Sequence, residues 1–403
     1  MRRTEDGPRN AIHEGMPAQI ITQTKNGKPG TGRVLIADDQ QPVLFALQML
    51  LKNSGFSTET ATHPSVVLKA LETESYDAVL MDLNYTRDTI GGAEGLELVS
   101  KIRSMDKLLP VVVMTSWSTV ELAVDAMRRG ASDFVQKPWE NRDLVMKLEC
   151  QVSRAQEQRQ AQRQREAELQ DAREIQDNLL PKSLPEIPKF EIAAASRPLR
   201  VVGGDYYNVA RIDDHRTSIC IADVAGKGMP AALLMSSLQA TLQSLSAQDL
   251  EPGEMCRRLN RILCSLTPVG KFISLFYGVL DSAERRLTYC NAGHNPPLLI
   301  RREGASVELG ADGAVLGQFP EWQYSQSQVE LRSGDRLLLF TDGLVEATDA
   351  RDDEFGEQNL IRSASENPEW SAQELLKILM DAASQHCGQS FQDDASLIVL
   401  KAL

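Results

Sequence analysis

Val34-Leu35-Ile36-Ala37-Asp38-Asp39 decides the reading of the first half of the chain. Four apolar residues are too few for a helix, and they end abruptly in two carboxylates. Outward from it the pattern recurs. Asp77-Ala78-Val79-Leu80-Met81 ends at Asp82, and Leu109-Pro110-Val111-Val112-Val113-Met114 ends at Thr115. Phe134-Val135 stands before Lys137-Pro138. Helical spacing fills the intervals, at Val43 to Leu51, Val66 to Leu71, Leu96 to Ile102 and Val120 to Met127. Short, fully apolar strands alternating with helices predict a parallel sheet covered on both faces.

In such a sheet the site lies outside the carboxyl ends of the strands. Those ends deliver Asp38, Asp39, Asp82 and Thr115, and Lys137 closes the set. Clustered carboxylates repel one another and call for a cation; Mg²⁺ prefers a few carboxylate oxygens plus water and phosphate oxygens. One Asp could then take a phosphoryl group as nucleophile, with hydroxyl and ammonium steadying its oxygens. This set resembles the receiver domain of bacterial response regulators over about residues 33–140. The resemblance implies a flavodoxin-like, doubly wound five-stranded sheet and an upstream sensor histidine kinase. It makes Asp82 the phospho-acceptor. Asp38, Asp39, Asp82 and the Asn84 carbonyl would hold Mg²⁺, and Thr115 and Lys137 would contact the phosphoryl group. It also implies a cis Lys137-Pro138 bond and Phe134 as a switch aromatic. The loop from Asn84 to Glu94 is longer than the family's and lacks its usual Pro. Trp117, unusual beside Thr115, reads as a packing residue or a lid.

Trp139 to Leu180 contains no Gly and no Pro and is rich in Gln, Arg, Glu and Ala, which favour helix. A heptad-like series runs through Leu144, Leu148, Ala155, Leu169, Ala172 and Leu179, although its middle is Gln and Arg. We read 141–184 as a helical linker, with a homodimer through the 141–180 helix as one possibility and a connector or docked helix as the other. Pro181, Pro185 and Pro188 stop it. Residues 1–32, polar and rich in Gly and Pro, read as a disordered tail.

Residues 185–403 form a second domain. β-like runs lie at Phe190 to Ala195, Thr217 to Ala222, Phe272 to Leu280, Pro297 to Ile300, Arg336 to Phe340 and Ala395 to Leu400. Helical patterns lie at Ala231 to Leu245, Glu254 to Leu266 and Ala372 to Ser384, so an α+β domain is expected. Its notable carboxylates sit at the ends of these runs, in Gly203-Gly204-Asp205, Asp223-Val224-Ala225-Gly226, Thr341-Asp342-Gly343 and Gln392-Asp393-Asp394. Oxygen-only ligands, with no His or Cys among them, suit Mg²⁺ or Mn²⁺. Two such ions lower the pKa of a water and clamp a phosphoryl group for in-line attack.

With Arg173-Glu174-Ile175-Gln176, Leu179-Leu180-Pro181, Gly226-Lys227-Gly228-Met229-Pro230-Ala231 and Asn291-Ala292-Gly293-His294-Asn295-Pro296, this half resembles the metal-dependent (PPM, type 2C) protein serine/threonine phosphatases of the SpoIIE/RsbU branch. The resemblance implies an αββα sandwich and two Mn²⁺ or Mg²⁺. Asp223 would bridge both ions, Asp205 and the Val224 carbonyl would complete one site, and Asp342 and Asp393 the other. Asp394 would stand behind them. The implied substrate is a phosphorylated anti-sigma-factor antagonist of STAS type. Asn208 stands where the family usually has Asp. Arg197 or Arg200 are candidate phosphate readers, and His294 reads as a general acid or a structural residue.

The net charge of -13 argues against a nucleic-acid output and against docking on anionic lipid. No run approaches the roughly 18 apolar residues of a spanning helix, and no apolar segment follows Met1-Arg2-Arg3, so a cytoplasmic protein without a signal peptide is expected. The six cysteines form no C-x-x-C pair and read as buried hydrophobes. Asp223 to Gly228 lies one residue off a kinase-like D-x-G-x-G box, and no G-x-x-x-x-G-K-[ST] exists. The expected function is a response regulator in which phosphorylation of Asp82 controls a phosphatase. The alternative is a weakly active or inactive module that binds a phosphoprotein or anti-sigma partner.

Overall fold

A computed structural model describes residues 32–85, 93–116, 120–310 and 313–403. The chain divides into two compact units after Gln164. In the first, β1 (Arg33–Ala37), α1 (Gln41–Asn53), β2 (Ser57–Ala61), α2 (Pro64–Thr73), β3 (Ala78–Asp82), α3 (Ala93–Met105), β4 (Val111–Ser116), α4 (Val120–Arg128) and β5 (Asp133–Lys137) alternate. The strands form one parallel sheet in the order β2-β1-β3-β4-β5. Strand period sorts the side chains onto two faces. Leu35, Val79, Met81, Val111 and Val113 meet α2, α3 and α4. Val34, Ile36, Leu80, Val112 and Met114 meet Leu44, Leu47 and Leu51 of α1. The sequence pattern missed β2. Its Ser-Thr-Glu-Thr-Ala is a partly exposed edge strand, and Glu59 pairs Arg33 at 2.7 Å, so polarity there is structural. Trp117 and residues 86–92 of the loop after Asp82 lie outside the described residues.

Helix α5 (Asn141–Asp177) is one 37-residue element. Leu144, Leu148 and Val152 are buried in the first unit's core beside α1, and Ala155 is buried too. Arg159 pairs Asp106 at 2.7 Å. Residues 160–168 are exposed on all sides. Further on, Leu179 packs against the core of the second unit. The heptad-like series is therefore occupied at both ends by intrachain packing, which leaves Leu169 and Ala172 for a seam.

The second unit contains two five-stranded antiparallel sheets. Its strands are β6 (Phe190–Arg197), β7 (Tyr206–Arg211), β8 (Arg216–Val224), β9 (Ile273–Asp281), β10 (Arg286–Ala292), β11 (Leu298–Ile300), β12 (Ser306–Glu308), β13 (Ser327–Glu330), β14 (Arg336–Phe340) and β15 (Ala395–Ala402). One sheet runs β13-β10-β9-β8-β7, the other β12-β11-β14-β15-β6. Ile219, Ile221, Phe276, Leu337, Leu339 and Ile398 fill the space between them. Helices α6 (Met229–Ser246) and α7 (Pro252–Leu266) cover the outer face of the first sheet. Helices α8 (Asp342–Val345), α9 (Glu357–Glu366) and α10 (Ala372–His386) cover the second. The result is an αββα sandwich. Pro230, Pro252 and a Ser371–Glu374 capping box start α6, α7 and α10, where a missing or capped N–H costs nothing.

Candidate functional sites

At the carboxyl end of the parallel sheet, Asp38 follows β1, Asp82 ends β3, Thr115 lies in β4 and Lys137 ends β5. One oxygen from each of Asp38, Asp39 and Asp82 lies within 4.8 Å of the others. Lys137 Nζ stands 2.8 Å from Asp38 Oδ2 and 2.9 Å from Asp82 Oδ2. The ammonium thus bridges two buried carboxylates. Burial raises the Asp82 carboxyl, with Lys137 opposing. Burial also lowers Lys137, but Asp82 and Asp38 more than offset it and the net shift is upward. Asp39 Oδ1 is buried without a hydrogen-bond partner. An orphaned oxygen in an all-carboxylate cluster fits a hard divalent cation. Thr115 is buried one residue beyond Met114, the strand partner of Asp82. Asn84 follows two residues after Asp82. The Lys137-Pro138 bond is cis. Phe134 points outward under Lys147, whose Nζ lies 5.2 Å from the ring centroid and donates to the Phe134 carbonyl at 2.8 Å. Tyr85, which no sequence motif marked, is buried with its hydroxyl unpartnered, and Asp82 and Asp38 add to the burial that raises its pKa.

In the second unit, strand register makes the site. Tyr206 pairs Ala222 across β7 and β8, which brings Asp205 opposite Asp223. Phe340 pairs Leu397 across β14 and β15, so the chain ends carrying Asp342 and Asp393-Asp394 emerge together. Asp205 spans the two sheets. Its Oδ2 accepts from Thr341 Oγ1 at 2.8 Å and Ser396 Oγ at 2.6 Å, both in the other sheet's strand ends. Its Oδ1 is buried with no donor, facing the Asp223 carboxylate. Burial, then the charges of Asp342, Asp393 and Asp394, push the Asp223 carboxyl up to about 7. Burial and Asp223 raise Asp205, and burial and Asp393 raise Asp342. Lys227 stands at this ring, 2.7 Å from Asp393 Oδ2. Among the described residues no three of these aspartates close to the 4.8 Å spacing of the receiver cluster.

The structure places the remaining residues singled out in the sequence. Both Asp394 oxygens accept from backbone, Oδ1 from Leu199 N–H at 2.8 Å and Oδ2 from Gly204 N–H at 2.5 Å, so it holds the loop before Asp205. The close fit explains two glycines, since a Cβ at Gly203 would stand 2.5 Å from Asp394 Oδ2 and one at Gly343 2.2 Å from the Asp394 carbonyl. His294 is buried, with Nδ1 2.8 Å from Ser274 Oγ and Nε2 without a hydrogen-bond partner, and burial lowers its pKa to about 4. Asn208 shares its strand face with Tyr206, which packs in the α6–α7 core, whereas Asp205 reaches toward the second sheet. Arg197 pairs Asp381 at 3.6 Å, while Arg200 lies beside Gly228. Thr341 and Ser396 escaped sequence reading because their hydroxyls act only through the register of two distant strands.

Two family models match this chain, the response regulator receiver domain over residues 34–149 and the stage II sporulation protein E (SpoIIE) domain over residues 213–403. The first unit is therefore similar to response-regulator receivers and the second to the SpoIIE domain. It is 33% identical over 225 residues to "Phosphoserine phosphatase RsbU" of Bacillus subtilis (strain 168), covering 55% of this chain and 66% of that protein. It is 34% identical over 151 residues to "Phosphoserine phosphatase RsbP" of the same organism, covering 36% and 38%. The chain thus spans less than two thirds of either relative. The SiaA-PP2C domain of Pseudomonas aeruginosa has the same fold, with a TM-score of 0.54 and 19% identity over 60% of this chain and 98% of that one.

Proposed function

We propose that this chain is a cytoplasmic response regulator whose output is a metal-dependent protein serine/threonine phosphatase. The observation that carries the reading is the Asp205–Asp223 pair: a buried carboxylate and a half-buried one lie opposite each other, one Asp205 oxygen has no donor, and Asp342 and Asp393 complete the ring. Such a ring in apolar surroundings is unfavourable without bound cations. Two Mn²⁺ or Mg²⁺ ions, when bound, supply an activated water and neutralise the phosphoryl oxygens. Asp205, Asp223, Asp342, Asp393 and the Val224 carbonyl would hold them. Thr341 and Ser396 fix the Asp205 carboxylate in one orientation, with Oδ1 aimed into the ring. Lys227 restrains Asp393. Water would attack phosphorus in line as the bond to the serine oxygen breaks, with one of its protons passing through solvent to the leaving serine oxygen, so that no phospho-enzyme would form.

In the receiver, a sensor histidine kinase would supply the phosphoryl group to an Asp82 oxygen, with Mg²⁺ on Asp38, Asp39, Asp82 and the Asn84 carbonyl. Lys137, already shared between Asp38 and Asp82, and the Thr115 hydroxyl would contact the added oxygens. The new charge would bias the state of the receiver and, through α5, the second site. The substrate we assign is the phosphoserine or phosphothreonine of an anti-sigma-factor antagonist of STAS type, in keeping with relatives named phosphoserine phosphatases. The binding-module alternative rested on Asn208, and the strand face of that residue argues against its bearing on the ring.

The test is single-turnover phosphate release from a phosphoserine STAS-type protein. It uses full-length chain with Mn²⁺ or Mg²⁺, with and without beryllofluoride on the receiver, and Asp223→Ala as control. Metal-dependent release that disappears in Asp223→Ala and changes with beryllofluoride supports the proposal. Stoichiometric metal binding without release from any phosphoserine protein tried would sink it in favour of the binding module.

A further inference from the structure

Helix α5 is exposed on all sides over 160–168, yet Gln176, near its end, is buried at 7% exposure. A buried carboxamide has to satisfy both a donor and an acceptor. Gln176 does so on a single residue. Its Nε2 donates to the Gly203 carbonyl at 2.7 Å, and its Oε1 accepts from the Gly203 N–H at 3.0 Å. The side chain thus pairs with Gly203 as a neighbouring strand would. The next residue, Gly204, donates to Asp394 Oδ2, and the residue after that is Asp205. Gly203 is therefore gripped from two directions, by Gln176 and by the Asp394 carboxylate against which it packs. One helical turn earlier, Arg173 Nη1 donates to the Val201 carbonyl at 3.3 Å. Positions 173 and 176 lie on one face of the helix. Two successive turns of α5 thus hold the backbone that ends in Asp205.

We propose that Gln176 is a positioning residue for the cation ring: by clamping Gly203 it fixes where Asp205 stands, so the seating of the last turns of α5 sets the affinity of the ring for divalent cation. This rests on the reading of Asp205 as a metal ligand. Groups that orient a ligand change metal affinity by roughly 10–100-fold when removed. Gln176 touches neither the ring nor a substrate, so its loss leaves the ligands themselves intact and acts on affinity.

The experiment is Mn²⁺ titration of the full chain by calorimetry, in an Asp39→Ala background that silences the receiver's own cation site. Gln176→Leu removes both hydrogen bonds. Gln176→Glu keeps the acceptor for the Gly203 N–H but sets a negative charge against its carbonyl. Both are expected to weaken Mn²⁺ binding by about tenfold or more. Phosphate release should then show a raised half-saturating Mn²⁺ concentration and a nearly normal rate at saturating metal. Faster hydrogen exchange at the amides of Gly203 and Gly204 should accompany the change. A purely structural residue would instead lower the melting temperature and leave the affinity of the folded fraction alone. Unchanged Mn²⁺ affinity in folded Gln176→Glu overturns the proposal, and that variant decides the matter if Gln176→Leu does not fold. Because the titration needs no substrate, a wild-type chain that binds Mn²⁺ without releasing phosphate defeats the phosphatase reading and leaves this comparison valid.

Discussion

Replacing Asp223 by Asn should stabilise the metal-free second unit while abolishing metal binding. An ordinary aspartate titrates at 3.8, but in this fold burial and the charges of Asp342, Asp393 and Asp394 hold the Asp223 carboxyl protonated up to about 7. The native state therefore keeps a proton that the unfolded chain has released between those values. Stability is consequently full below about pH 4, falls as pH rises from about 4 to about 7, and stays low above that. At roughly 1.4 kcal/mol per tenfold change in proton equilibrium, the displacement corresponds to about 4 kcal/mol. Asp205 shares the same proton, so the loss belongs to the pair, and about 2–4 kcal/mol is the range to expect at pH 8. Asn keeps the shape and removes the charge. The assay is denaturant-dependent hydrogen exchange of the full chain in chelator at pH 5 and pH 8. It is read on the amides of Leu397 to Leu400, in the buried β15 strand of this unit. Wild type should lose about 2–4 kcal/mol between the two pH values, and Asp223→Asn most of that dependence. Mn²⁺ should restore wild type at pH 8 and leave the variant unchanged. A wild-type protein equally stable at both pH values in chelator would falsify the argument.

Three further outcomes follow from particular contacts. Asp394→Asn presents an amide to one of the two backbone N–H groups it now accepts, at Leu199 and Gly204. The unit should lose about 2–4 kcal/mol and its Mn²⁺ affinity together, read by exchange and by titration. Lys137→Met leaves Asp38 and Asp82 buried without their shared ammonium, so the receiver should lose about 3–5 kcal/mol in chelator at pH 8. Mg²⁺ should recover part of this, and exchange at Val79 to Met81 reports it. Arg336→Met removes the buried guanidinium that donates to the carbonyls of Ala364 in α9 and of Asn367 and Trp370 just after it. Calorimetry should show a melting temperature lower by about 6–12 °C with phosphate release per folded molecule unchanged.

The receiver was legible because its strands are buried on both faces. Uninterrupted apolar runs such as Val111 to Met114 announce themselves, and each ends where a functional side chain begins. Only β2 escaped, being a polar edge. The second unit was harder for the same physical reason in reverse. Its strands are more polar, and β7, β12 and β13 carry Asn, Arg, Gln, Ser and Glu, so Tyr206 to Arg211 and Ser327 to Glu330 do not read as strands. The Asp residues were found through their Gly neighbours. What local sequence did not contain was their support, since Thr341 and Ser396 meet Asp205 across 136 and 191 residues of chain, and Gln176 reaches Gly203 across 27.

The two sites set the same electrostatic problem and answer it differently. Each gathers carboxylates at strand ends in a largely buried place. In the receiver, Lys137 stands within 3 Å of both Asp38 and Asp82, so the metal-free cluster already contains one compensating charge. In the second unit, Lys227 reaches Asp393 at the exposed rim, while buried Asp205 has two hydroxyl donors and lies opposite half-buried Asp223. Hydroxyl donors steady a carboxylate but do not cancel its charge. The receiver should therefore tolerate loss of its cation and use Mg²⁺ chiefly when a phosphoryl group arrives. The second unit should couple folding to metal, since binding there relieves the repulsion between Asp205 and Asp223. Chelator should lower the melting transition of the second unit by more than that of the receiver at pH 8, and the difference should shrink at pH 5, where the Asp205–Asp223 pair retains its proton. Equal shifts of both transitions at both pH values would mean that the interior pair carries no such repulsion.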